Sequence, residues 1–202
     1  MIIRSKITWA LACACVIGLA HPAQAITQQE LDAARATAAR SPHSPDAQFE
    51  LAMAYARTSY LEHGWEALKR VNELDAGYAA KVVERYEARL AAHPEDADAL
   101  FRLGFGYYFQ DRKALAMRQF EKLIAIRPDD PWAHNYMGFL QAEAGRLDQA
   151  LVHWQKALTL DQDNAVAHYL IGQIHYRQGR LLQAAQSLGQ AVRLRAASAL
   201  KP

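Results

Sequence analysis

The sequence predicts an all-α fold, a solenoid of stacked helical hairpins with about ten helices. Three observations carry this. Residue classes recur every 34 positions through the C-terminal half. Within each period the apolar residues follow helical spacing, not strand alternation. Ala is abundant and β-branched residues are few across the 202 residues, which favours helix.

The first segment is expected to leave the mature protein. Arg4 and Lys6 give a positive start, Ile7 to Ala20 is mostly apolar, and Ala23-Gln24-Ala25 is a small-x-small cleavage site. The apolar core, at about 14 residues, is short for a spanning helix, which needs roughly 20. Residues 1–25 therefore read as a secretory signal, and the protein as periplasmic or secreted from Ile26 onward. Cys13 and Cys15 would leave with it, so the rest of the chain has neither disulfide nor thiolate chemistry. Loss of Arg4 and Lys6 leaves 21 basic and 21 acidic residues. That balance lacks the basic footprint of a nucleic-acid binder.

Gln28–Arg40 reads as a leading helix stopped by Pro42. The run Pro45-Asp46-Ala47-Gln48-Phe49-Glu50-Leu51-Ala52 opens a first repeat, 45–78, with Gly64 at its twentieth position. Residues 79–96 read as one interposed helix ending at Pro94. Three regular repeats follow, 97–130, 131–164 and 165–198.

Five columns define the regular repeats. Leu103, Met137 and Ile171 hold the seventh position; Gly104, Gly138 and Gly172 hold the eighth. Ala116, Ala150 and Ala184 hold the twentieth, Phe120, Trp154 and Leu188 the twenty-fourth, and Ile126, Leu160 and Leu194 the thirtieth. Each repeat is two amphipathic helices, and its small columns let the paired helices approach closely. Gln110-Asp111, Gly145 and Gly179 mark the break between the helices, where Gly suits a left-handed C-cap. The acidic pairs Asp129-Asp130 and Asp161/Asp163 fall at turns between repeats, as helix N-caps do.

The pattern resembles the tetratricopeptide repeat family over 97–198. Departures are His134 and His168 where a large aromatic or Leu is usual, Leu123 in place of Ala, and Gln162 and Ala196 in place of Pro. The resemblance implies a right-handed α-α superhelix whose concave face is lined by the first helix of each repeat. It further implies ligand-facing side chains at the second, fifth, sixth, ninth, twelfth and thirteenth positions.

Those positions supply the candidate partner-binding groove: Phe49, Met53, Phe101, Arg102, Phe105, Tyr108, Phe109, Trp132, Asn135, Tyr136, Phe139, Tyr169, Gln173, Tyr176 and Arg177. An aromatic groove with few charges buries apolar peptide side chains. Aromatics at the fifth and twelfth positions can equally pack neighbouring repeats. The ninth position is usually polar in the family, so Met53, Phe105 and Phe139 form an unusual apolar stripe. In the regular repeats these rings are expected on the groove side, away from the paired helix. The lysines of a carboxylate clamp are missing.

No phosphate loop, HExxH motif or nucleophilic Ser in a strand–turn–helix setting occurs. Seven histidines remain after residue 25, but none is grouped as metal ligation requires. The chain is therefore expected to be non-catalytic, without cofactor or metal. The resemblance, with the export signal, implies an adaptor for a protein or peptide partner in cell-envelope assembly or secretion, touching a membrane only through that partner. The alternative is a self-assembling homo-oligomer. Leu181, Leu182, Ala185, Leu188 and Val192 would then supply an uncapped apolar end.

Overall fold

Ten helices make up the described part of the chain. The computed structural model describes residues 26–58 and 60–199; the expected signal segment 1–25 lies outside them. The helices are α1 Gln28–Arg40, α2 Pro45–Tyr55, α3 Leu61–Leu74, α4 Tyr78–Ala92, α5 Ala97–Phe109, α6 Lys113–Ile126, α7 Pro131–Glu143, α8 Leu147–Leu160, α9 Ala165–Arg177 and α10 Leu181–Ala199. There is no strand among the described residues. The fold is the all-α hairpin repeat that the 34-residue period predicts, and the regular pairs are α5/α6, α7/α8 and α9/α10. Two compact units divide it: residues 75–160, and residues 26–74 with 161–199.

Residues at equivalent positions start and stop the helices in the same way. Side-chain oxygens of Asp96, Asp130 and Asn164 accept from backbone N–H groups in the first turns of α5, α7 and α9, at 2.9–3.2 Å. Each such cap contributes about 1 kcal/mol. At the third of these turns Asn164 is the cap; Asp161 accepts from the Asp163 N–H at 3.1 Å and shapes the turn. At the other end, Asp111, Gly145 and Gly179 share left-handed backbone, with φ of 62°, 78° and 73°. The backbone N–H groups of Arg112, Arg146 and Arg180 then donate back to the carbonyls of Tyr107, Gln141 and His175, each at 2.9 Å. This closes the same C-terminal motif three times. Asp is among the few non-glycine residues that tolerate such a φ, which is why the break without a glycine still terminates its helix.

In the 75–160 unit the hairpins are set by glycine. A Cβ on Gly104 would lie 2.8 Å from Phe120, and one on Gly138 would lie 2.6 Å from Trp154. Both rings are buried, and Trp154 Nε1 donates to the Asn135 carbonyl at 3.1 Å. The eighth-position glycine is thus the seat for the twenty-fourth-position side chain. Gly106 does the same for α4: its Cβ would lie 2.9 Å from Val82 and 3.1 Å from Val83. The interposed helix therefore packs on α5. Tyr78, read from sequence as the end of the first repeat, is instead the first, buried residue of α4. Tyr107 donates to Glu87 of α4, and Arg112 lies 4.7 Å from the Tyr107 ring centre. Burial, then this bond, pushes the Tyr107 phenol up to about 12.

In the other unit, α1 opens with a capping box. Glu30 N–H donates to Thr27 Oγ1 at 3.2 Å, and Thr27 N–H to Glu30 Oε2 at 2.8 Å. Leu31 packs against Ala54 and Tyr55. Arg35 Nε donates to Tyr55 Oη at 3.0 Å. In the α2/α3 hairpin Ala52 takes the eighth position and the glycine has moved to the second helix. There Gly64 lies against Tyr55 Cβ and the Ala52 carbonyl, at 3.3 and 3.6 Å from its would-be Cβ. In α9/α10 the seat is Gly172 under Leu188, with Leu188 Cγ at 2.7 Å and its backbone N at 3.2 Å.

The α9/α10 hairpin offers an internal comparison. Gly172→Ala forces a methyl against a neighbouring backbone, so it is expected to cost roughly 1–3 kcal/mol despite alanine's better helix propensity. Gly189 lies in α10 with nothing near its would-be Cβ. Gly189→Ala is therefore expected to stabilise by about 1 kcal/mol. Denaturant unfolding checks both, and equal shifts would mean that Gly172 is not a packing seat.

Candidate functional site

The 75–160 unit concentrates the aromatic residues in one network. Phe101, Phe105 and Phe109 recur every four residues along α5, so they share a face. Phe120 comes from α6, Tyr136 and Phe139 from α7. Phe105 lies 5.2 Å from Phe101, 4.7 Å from Tyr136, 6.2 Å from Phe120 and 6.3 Å from Phe109, centre to centre. Phe120 and Tyr136 stack at 5.7 Å. Tyr108 meets Phe109 at 5.5 Å and Phe139 at 5.8 Å. These separations lie in the range where aromatic pairs add about 0.5–1.5 kcal/mol beyond their burial.

Depth sorts the rings. Phe101, Phe105, Tyr108 and Phe120 are buried, while Phe109, Tyr136 and Phe139 are half-buried and keep surface to offer. A polar edge runs beside them. Lys113 Nζ lies 3.0 Å from the buried Glu143 carboxylate, towards which Tyr108 Oη donates at 3.4 Å. Arg102 pairs with Asp98 and lies 6.0 Å from the Tyr86 ring centre.

This corrects the expectation for Phe105. Phe105 is 7% exposed and meets Phe120, so it does not face away from the paired helix. The cause is Gly104: with no side chain there, the Phe120 ring crosses α5 and reaches both Phe101 and Phe105. Trp132 and Asn135 of α7 are buried as well. In the other unit Phe49 and Met53 are each 2% exposed. Tyr169 is half-buried, packed with Leu194 on Ala165 and Ala191. Gln173 is half-buried, and Tyr176 and Arg177 are exposed. The candidate list therefore divides into supporting core and surface. Phe120, Lys113 and Glu143 join the site from outside that list. Phe120 was visible in sequence only as a packing column; nothing in the spacing marks Lys113.

Family models for tetratricopeptide repeats match residues 120–152 and 165–198, and one for the TPR repeat matches residues 142–179. The match over 165–198 coincides with the fourth repeat.

Residues 120–198 are built of tetratricopeptide repeats.

Solved structures share the fold of this chain. A MamA crystal structure is 18% identical, with 85% of this chain and 90% of that one covered and a TM-score of 0.51. The MamA RS-1 ArsTM double mutant is 19% identical over 83% and 84%, with a TM-score of 0.56. MamA MSR-1 C2 is 18% identical over 84% and 94%, with a TM-score of 0.55. At these identities the likeness is one of fold. No curated protein matches the chain at a significant level. The repeats support a scaffold for protein–protein interaction, and tetratricopeptide repeat proteins are generally non-catalytic adaptors.

The depth of the rings predicts two different penalties. Phe105→Ala is expected to cost about 3–5 kcal/mol of stability, as buried phenylalanine truncations do. Phe139→Ala, at a half-buried ring, is expected to cost clearly less. Thermal and denaturant unfolding of the two variants tests this order, and equal penalties would contradict it.

Proposed function

We propose that the protein is a non-catalytic adaptor that holds a peptide segment of a protein partner on the half-buried rings of the 75–160 unit. The observation that carries this is the graded aromatic network. Phe109, Tyr136 and Phe139 keep open surface and rest on buried Phe101, Phe105 and Phe120. Rings braced in this way bind apolar side chains at low entropic cost. The Lys113–Glu143 pair would give the edge of the surface its polar contacts. No helix among the described residues is long and apolar enough to cross a membrane. With an export signal over 1–25 the partner would belong to the cell envelope or its surroundings. N-terminal sequencing of exported protein should begin at Ile26; a retained Met1 would remove that placement.

A second reading has its own observation. Leu181, Leu182 and Val192 of α10 are 63%, 74% and 62% exposed. Ala185 and Val192 stand at the register of Met117 and Ile124, which are half-buried in α6, the helix that α7 packs against. Such a face fits a repeat helix, and a second copy of this chain supplies one. Leu182→Glu with Val192→Glu should then convert a dimer to a monomer in light scattering at micromolar concentration. A wild-type monomer would dismiss self-association.

The adaptor reading is tested by partner capture from envelope extract, followed by titration. Losing a braced ring commonly costs about 2 kcal/mol of binding, roughly thirtyfold in Kd. Phe139→Ala is expected to weaken the partner by that order with helicity kept, whereas Arg118→Ala, an exposed α6 control, should not. Few charges line the surface, so affinity should change little between low and moderate salt. Equal affinity of Phe139→Ala and wild type would exclude this surface.

A further inference from the structure

Two histidines on facing helices meet inside the 131–160 hairpin. His134 of α7 is 7% exposed, and its Nδ1 lies 3.2 Å from Nδ1 of half-buried His153 on α8. The other nitrogen of His134, Nε2, lies 3.3 Å from the Pro128 carbonyl.

These partners fix the protons. A carbonyl only accepts, so His134 must carry its proton on Nε2 and donate it to Pro128. Its Nδ1 is then a bare lone pair, and His153 must donate Nδ1–H to it. Each ring is neutral in this arrangement. A first added proton goes to the bare Nε2 of His153, and the Nδ1–H···Nδ1 bond survives in a singly charged pair. A second breaks the bond and sets two cations against each other in a half-buried place.

The surroundings favour neutrality. Burial lowers the His134 pKa; Lys156 of α8 lowers it further, while the bond to Pro128 and the carboxylate of Asp130 oppose the shift. Burial and then His134 lower that of His153. No group of α6, the other helix against α7, is among those acting on either ring.

The repeats contain their own comparison. His168, 34 residues on from His134, likewise reaches back to the Gln162 carbonyl at 3.1 Å, but Ser187 stands at the register of His153. In the preceding repeat the two positions are Leu100 and Gln119, both buried. Only the 131–160 hairpin places a titrating pair there, so the pair is not required by the fold.

We propose that His134 and His153 form a proton-sensitive latch that holds α8 on α7 at neutral pH and releases under mild acid.

The sign follows from linkage. A histidine whose folded pKa is depressed binds fewer protons folded than unfolded. Stability is therefore full above the unfolded value near 6.5 and falls as pH drops through 6.5 towards the lowered folded values. Because α7 also carries Tyr136 and Phe139, the latch would loosen the helix that bears the surface proposed above for binding. The test does not depend on that reading.

Two measurements on the purified protein decide the matter. Long-range nitrogen–proton NMR of the imidazoles at pH 7.5 should show His134 protonated at Nε2 and His153 at Nδ1. Thermal midpoints at pH 7.5 and 5.5 are then compared between wild type and His134→Leu with His153→Gln, the pair found in the preceding repeat. The wild type is expected to lose at least about 3 °C more than the variant over that interval, the size of shift that 1 kcal/mol makes in a chain this long. Parallel pH curves, or both rings in one tautomer, would overturn the latch. Should the variant fail to fold, the NMR tautomers and the pH at which each wild-type ring titrates decide: both titrating at 6.5 or above would overturn it.

Discussion

The absence of one side chain, repeated every 34 residues, is the constraint on which the regular hairpins depend. Gly104, Gly138 and Gly172 give up helix propensity, roughly 1 kcal/mol each against Ala. In return Phe120, Trp154 and Leu188 sit where a Cβ would be, closer than any Cβ tolerates. A glycine in mid-helix is a net loss unless something occupies the space it leaves. In the three regular hairpins that something is an apolar side chain of the facing helix. Gly106 extends the same device to a helix outside the period, with Val82 and Val83 filling the gap.

The aromatic site is a consequence of this seating. Because Phe120 lies over Gly104, it passes across α5 and becomes the shared neighbour of Phe101, Phe105 and Tyr136. That network buries the inner rings and leaves Phe109, Tyr136 and Phe139 partly open on a rigid base. A binding surface whose anchors are already held by packing loses little freedom when a ligand arrives. The same packing makes the inner rings unsuitable as contacts, whatever their register on the helix.

Much of the fold was legible because it is periodic. The matched columns located the glycine seats, and the left-handed breaks at Asp111, Gly145 and Gly179 fall where the register places them. The interposed helix was legible only as an extra piece. Its partner, Gly106, has no counterpart 34 residues later, where Leu140 stands, so no column announced it. Phe105 was read as groove-facing because helix register gives direction but not how far a facing ring reaches. His134 and His153 were invisible as a pair: a 19-residue separation belongs to no helical spacing, and only the hairpin brings their nitrogens to 3.2 Å.

The seating is tested most directly by a double-mutant cycle between positions 104 and 120. Gly104→Ala is made in the wild-type background and in a Phe120→Ala background, and each unfolding free energy is measured with denaturant. If the glycine exists to seat the ring, the added methyl should cost about 1–3 kcal/mol beneath Phe120. It should cost nothing, or even stabilise by up to about 1 kcal/mol, once the ring is gone. The same penalty in both backgrounds would show that Gly104 is required for some other reason, and would contradict the account.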